Sequence, residues 1–131
     1  MGIFDFLKQD NDKTEAEQPP QEPYTELSTG LDDYQNPTWP QVERAVKDIV
    51  EEEDSFATLS FNHYALEVDT IQCIKMEEGY TFEALPARDS KEHGLIYHLD
   101  GLSYEDVLKR FKEFYETQKV TGYKEFSKDK F

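Results

Sequence analysis

The stretch Ala57-Thr58-Leu59-Ser60-Phe61 alternates apolar and polar side chains, and the same period of two returns in Tyr64, Leu66 and Val68 and again in Tyr80, Phe82 and Ala84. That period sends successive side chains to opposite faces of a strand, so residues 55–97 read as strands with one face buried. The breaks between runs are turn formers. Asn62-His63 separates the first two runs, and Glu77-Glu78-Gly79 precedes the Tyr80 run, where glycine accepts a positive φ without steric penalty. Residues 71–76, Ile-Gln-Cys-Ile-Lys-Met, are either a third strand or the continuation of the second, and periodicity does not separate these readings. Residues 86–94 form a polar loop and residues 95–99 a last strand. Short consecutive strands joined by tight turns predict an antiparallel meander of about four to five strands.

A helix is expected on each side of this block. Asn36-Pro37-Thr38-Trp39-Pro40 announces the first: Thr38 can accept from a first-turn amide, and proline is tolerated near a helix start. Trp39, Val42, Val46, Ile49 and Val50 then follow at helical spacing, and Trp39 and Val42 are expected to anchor the helix on the sheet. Ser103 opens the second helix, with Asp106 three residues on in the place of a capping-box acid. Tyr104, Val107, Leu108, Phe111, Phe114 and Tyr115 make its apolar stripe, Lys109, Arg110 and Lys112 its outer side. The fold class is therefore α+β, an antiparallel sheet flanked by an N-terminal and a C-terminal helix.

Outside this block the composition changes. Residues 1–36 hold Pro19, Pro20, Pro23 and many acids and glutamines, and read as a disordered acidic tail with a short amphipathic start at Ile3, Phe4 and Leu7. Residues 37–120 are the single domain, and residues 121–131 a charged C-terminal tail with an optional edge strand. Nine Phe, eight Tyr and one Trp suffice for a core without disulfides or metals.

Charge and cysteine narrow the function classes. The formal charge is -15, shared between residues 1–40 (nine acids, two bases) and residues 41–131 (twenty acids, twelve bases). Nucleic-acid binding needs lysine and arginine against phosphate, so that class is disfavoured; a basic protein partner suits an acidic domain better. Acidity that only maintains solubility is the alternative. Cys73 is the sole cysteine, so no intrachain disulfide forms, and a reducing, cytoplasmic location is expected. Cys73 sits in an apolar run and reads as a small buried hydrophobe rather than a reactive thiol. No stretch approaches the ~20 apolar residues of a membrane span, no signal-peptide pattern is present, and Phe6 breaks a myristoylation start. Stable membrane association is not expected.

No catalytic, cofactor or metal motif stands out. His93 and His98 lie five apart, unlike any zinc-helix spacing, and His63 is remote from both. No nucleophile elbow or phosphate-cradling glycine loop occurs, so an enzyme is the least favoured class. The one local oddity is Glu51-Glu52-Glu53-Asp54 at the end of the first helix, where carboxylates face the negative end of the helix dipole. Local rules broken without compensation mark candidate sites. These four acids, with Glu77 and Glu78 as a second patch, are the candidate partner-binding residues; a merely solvated turn is the alternative.

Asn36-Pro37-Thr38-Trp39 opening a helix, Gly79-Tyr80-Thr81-Phe82-Glu83 in a mid-sheet strand, and the aromatic last helix through Phe111 and Tyr115 resemble the Imm1-type immunity proteins over roughly residues 36–118. The resemblance implies a small bacterial protein that neutralises a polymorphic toxin, often a nuclease or deaminase, by direct binding. An acidic surface would then occlude the toxin's basic cleft. The long acidic N-terminal extension departs from the family pattern. A competing expectation is an adaptor whose Met1 to Leu7 segment docks and whose acidic linker tethers.

Overall fold

A computed structural model describes residues 22–50, 56–88 and 90–130, with the side chain of Val50 outside the description. The sheet is antiparallel throughout and has seven strands. We number them β1 (Tyr24–Thr29), β2 (Asp33–Gln35), β3 (Phe56–Asn62), β4 (Val68–Met76), β5 (Gly79–Pro86), β6 (Leu95–Leu102) and β7 (Ser127–Lys130). Helix α1 (Trp39–Val50) enters between β2 and β3, and α2 (Tyr104–Thr117) follows β6. The spatial order is β2-β1-β3-β4-β5-β6-β7. The α+β class thus stands, with more strands than the sequence predicts.

The additional strands come from both tails. Residues 22–36, read from sequence as part of the disordered extension, contain β1, which lies inside the sheet between β2 and β3. Its alternation is short, yet Thr25 and Leu27 are buried opposite Phe61 and Leu59. Thr29 closes the following turn by accepting the amides of Leu31 and Asp32 on its hydroxyl. The surrounding acidic composition hides this pattern. At the other end the charged tail supplies β7, an exposed edge strand paired to β6. Its Lys-Asp-Lys sequence is of the kind that blocks further edge pairing.

One strand expectation is corrected. Tyr64, Leu66 and Val68 do not form a strand of their own; the chain loops over residues 63–67 and β4 runs without interruption from Val68 to Met76. His63 and Ala65 have φ of 67° and 58°, so extended backbone cannot pass through them. The Glu77-Glu78-Gly79 turn stands as read. A Cβ on Gly79 (φ 125°) would lie 3.0 Å from the backbone of Gly101, so the close approach of β5 to the end of β6 needs glycine there.

Both helices pack on one face of the sheet. Leu27, Leu59, Ile71, Phe82 and Tyr97 point to that face and are buried with Val42, Val46 and Ile49 of α1 and Val107, Phe111 and Phe114 of α2. Phe61 meets Phe114 edge-on at 5.1 Å and Phe82 meets Phe111 at 6.0 Å, the geometry aromatic pairs prefer. The helix starts are capped as expected. Thr38 and Gln41 exchange bonds in a capping box, and Ser103 accepts from the Asp106 amide. Gln118, in the left-handed conformation, ends α2 by donating to the Phe114 carbonyl at 2.8 Å. Trp39 packs against the buried core and also meets Tyr115 of α2 at 5.6 Å with the rings tilted by 49°, and the Tyr115 hydroxyl donates to the Pro37 carbonyl at 2.9 Å. Among the described residues no helix is long and apolar enough to cross a membrane.

Candidate functional site

The alternation that buries one sheet face leaves the other free of any described element. Strand register brings a row of polar residues together across all seven strands: Asp33, Ser28, Thr58, Gln72, Glu83, His98 and Ser127 are successive Cα partners. Several are joined by hydrogen bonds. Ser28 donates to Asp33 at 2.7 Å, Thr58 to Gln72 at 2.8 Å, and Gln72 in turn to Glu83 at 2.7 Å. The Thr70 and Ser60 hydroxyls are hydrogen-bonded beside this row, and Thr81 donates to Asp100 at 3.0 Å. Cross-strand polar pairs of this kind fix side-chain directions on an open face.

The face is acidic. By alternation and register it presents Glu26, Asp33, Glu83, Asp100 and Asp129, and among the described residues no lysine or arginine. Lys128 and Lys130 in β7 pair with Tyr97 and Leu95 and so point to the helix side. The only histidine there, His98, sits between two of the acids, with Nδ1 3.2 Å from Asp100 and Nε2 2.9 Å from Asp129. Phe56 and Ile74, half-buried partners across β3 and β4, add an apolar patch near one end. At about 4.8 Å per strand the seven strands span about 29 Å. The resulting area is on the order of 600 Å², comparable with the roughly 800 Å² each partner contributes to a standard protein interface.

Glu77 and Glu78 are exposed in the turn between β4 and β5. That turn lies at the end of the sheet where β3 begins, since Phe56 pairs with Ile74 and Met76 with Gly79. Glu51, Glu52, Glu53 and Asp54 fall outside the described residues, as does the segment from Met1 to Leu7. The five carboxylates of the open face were missed as a group by sequence reading. Each is an ordinary solvent-side residue of its own strand, and only the register aligns them.

The opposite end of the sheet holds a groove of about 880 Å³ between the β3–β4 and β5–β6 loops. Asn62, His63, Glu67, Asp69, Arg88 and His93 line it. Glu67 accepts from the Tyr123 hydroxyl at 3.1 Å, and Asp69 from Thr70 at 3.1 Å. Cys73 lies elsewhere, fully buried, and burial pushes its thiol up to about 12, far from the depressed value of an activated nucleophile. Among the described residues no three His, Cys, Asp or Glu side chains converge as a metal cage. No family model, curated protein or solved structure matches the chain.

Proposed function

We propose that the chain is a protein-binding domain that receives a basic partner on the sheet face that no described element covers. The observation that carries this reading is the charge of that face: among the described residues, five carboxylates and no lysine or arginine, several of the carboxylates oriented by side-chain hydrogen bonds. Oriented charge of one sign accelerates encounter with an opposite surface and rejects like-charged competitors. Glu77 and Glu78 extend the proposed contact at one end of the face, and the acids Glu51, Glu52, Glu53 and Asp54 are kept as candidate contact residues on sequence grounds. Neutralisation of a toxin's basic cleft, as in the Imm1-type immunity proteins the sequence resembles, is the specific form of binding that this chemistry fits. The reading needs no catalytic group, cofactor or membrane, and a lone buried cysteine is compatible with a cytoplasmic location.

The experiment is affinity capture from the source cell with the wild type and two variants. One variant carries Glu26→Gln, Asp33→Asn, Glu83→Gln, Asp100→Asn and Asp129→Asn; the other neutralises Glu51, Glu52, Glu53, Asp54, Glu77 and Glu78. A basic protein held by the wild type and lost from the first variant supports the face. Loss from the second variant alone moves the contact to those six acids. Equal capture by all three overturns the electrostatic reading.

A further inference from the structure

We infer, on the premise that a basic protein docks on the open sheet face, that it does so with an apolar anchor flanked on both sides by basic side chains, and that Phe56, Ile74 and Met76 seat the anchor. Charge on this face is not uniform. The five carboxylates lie on the flanking strands, Asp33 and Glu26 in β2 and β1, and Glu83, Asp100 and Asp129 in β5, β6 and β7. Between them, from Phe56 to Ser60 in β3 and from Thr70 to Met76 in β4, alternation presents no charged side chain to the open face. Lys75 is turned to the helix side, 5.8 Å over the Tyr80 ring. The neutral strip becomes apolar at the end near the β4–β5 turn. Phe56 and Ile74 are Cα partners there, and Met76, two residues along the same face, is 52% exposed. Among the described residues it is the one exposed large hydrophobic on this face. Leu31 lies in the β1–β2 turn, Tyr34 pairs with Leu27 on the helix side, and Tyr64 follows β3 in a loop.

An apolar centre inside a charged rim is the layout of a protein interface. Charged residues are depleted at its core, where the anchors hold the complex, and the rim charges govern mainly the encounter. Register fixes the spacing the partner must match. Asp33, oriented by Ser28, is two strands from β3, and Asp100, oriented by Thr81, the Cα partner of Ile74, is two strands from β4. At about 4.8 Å per strand, each acid stands about 10 Å from the patch across the strands. Main-chain groups inside the sheet are committed to strand pairing, so the partner contributes side chains. On an α-helix, residues seven apart share a face and lie about 10.5 Å apart. A helix with an apolar side chain, and a lysine or arginine seven residues before and after it, therefore meets the patch and both acids together.

The test sets three labelled helical peptides of one length against the full chain. One has a leucine centre with lysines seven residues to either side, the second has serine at the centre, and the third keeps leucine but carries glutamines for the lysines. Affinity is read by fluorescence anisotropy up to about 1 mM chain. Location is read from the methionine methyl signals, since the chain holds only Met1 and Met76. The leucine-centred basic peptide is expected to bind with a saturable shift at Met76, about tenfold or more tighter than the serine-centred one. Met76→Ser narrows that difference, its combination with Ile74→Thr abolishes it, and Leu31→Ser, an exposed apolar change off the face, leaves it intact. Met76 is exposed and threonine keeps a branched strand side chain, so the variants keep the fold, which an unchanged urea midpoint confirms. Equal binding of the leucine and serine peptides, undiminished binding by the double variant, or no saturable shift at Met76 overturns the anchor and leaves the acidic face standing. Equal binding of the glutamine-flanked peptide overturns the basic flanks and the acidic face with them.

Discussion

Gln72 donates from Nε2 to Glu83 Oε1 at 2.7 Å and receives the Thr58 hydroxyl on its own Oε1 at 2.8 Å, which makes one amide the link between three neighbouring strands. Gln72→Leu removes both bonds and leaves Thr58 and Glu83 to water. The expected loss is about 0.5–1.5 kcal/mol per bond at most, less where water replaces the partner, read as a lower urea midpoint. Affinity for the basic partner falls too, because Glu83 is no longer held. An unchanged affinity would separate Glu83 from the interface.

The Gly79 turn makes a paired prediction. Gly79→Ala must hold a φ of 125° and place a Cβ 3.0 Å from Gly101, so it costs roughly 1–3 kcal/mol. Gly122→Ala meets nothing within 4 Å and keeps only the left-handed penalty of about 1 kcal/mol. Denaturation of the two variants side by side checks the order, and a larger loss at Gly122 would contradict the close approach of β5 to β6.

Truncation separates tail from fold. Removing residues 1–21 leaves every described strand in place, and cooperative unfolding near that of the full chain is expected. Removing residues 1–36 takes β1 from between β2 and β3 together with Leu27, which is fully buried. A Leu27→Ala change alone costs about 2–5 kcal/mol, so the longer truncation consumes much of a typical margin of about 5–15 kcal/mol. Far-UV circular dichroism and urea unfolding distinguish the two. The shorter truncation also tests the adaptor alternative: it keeps partner binding under the sheet-face reading and loses it if the Met1 to Leu7 segment is the docking element.

These cases indicate what was legible in the residues. Strong local signals, the alternation of residues 57–61 and 80–84 and the caps at Thr38 and Ser103, were read correctly because their physics is local. Strand β1 was missed because its two buried side chains, Thr25 and Leu27, are covered only once the strand pairs with β3, more than thirty residues on, and joins the shared core. The loop at residues 63–67 was read as strand because a positive φ at Ala65 has no signature in the residue type. The acidic face was invisible for the same kind of reason, since Asp33 and Glu83 lie fifty residues apart and share a row only through the register of β1, β3 and β4.

Alkaline pH acts on the core. Burial holds the Cys73 thiol up from 9.0 to about 12, and burial followed by the hydrogen bond to Glu67 pushes the Tyr123 phenol up from 10.0 to about 12. Above about pH 9 the unfolded chain releases these protons while the folded chain keeps them. Their stabilising contribution is therefore complete below about pH 9 and is lost as pH rises toward 12. Urea midpoints should fall between about pH 8 and pH 11, and a thiol reagent near pH 8 should label Cys73 only as fast as the protein unfolds. Rapid labelling of the native protein would contradict its burial.

The most direct test of the acidic face is the association rate of the captured partner with the wild type and with the variant neutralised at Glu26, Asp33, Glu83, Asp100 and Asp129, followed by stopped flow from about 0.02 to 0.5 M salt. The wild-type rate should begin about tenfold or more above the variant's and fall steeply with salt, while the variant's rate stays low and nearly flat. Equal rates with equal salt dependence would contradict the claim that the acidic face of the sheet is where the partner arrives.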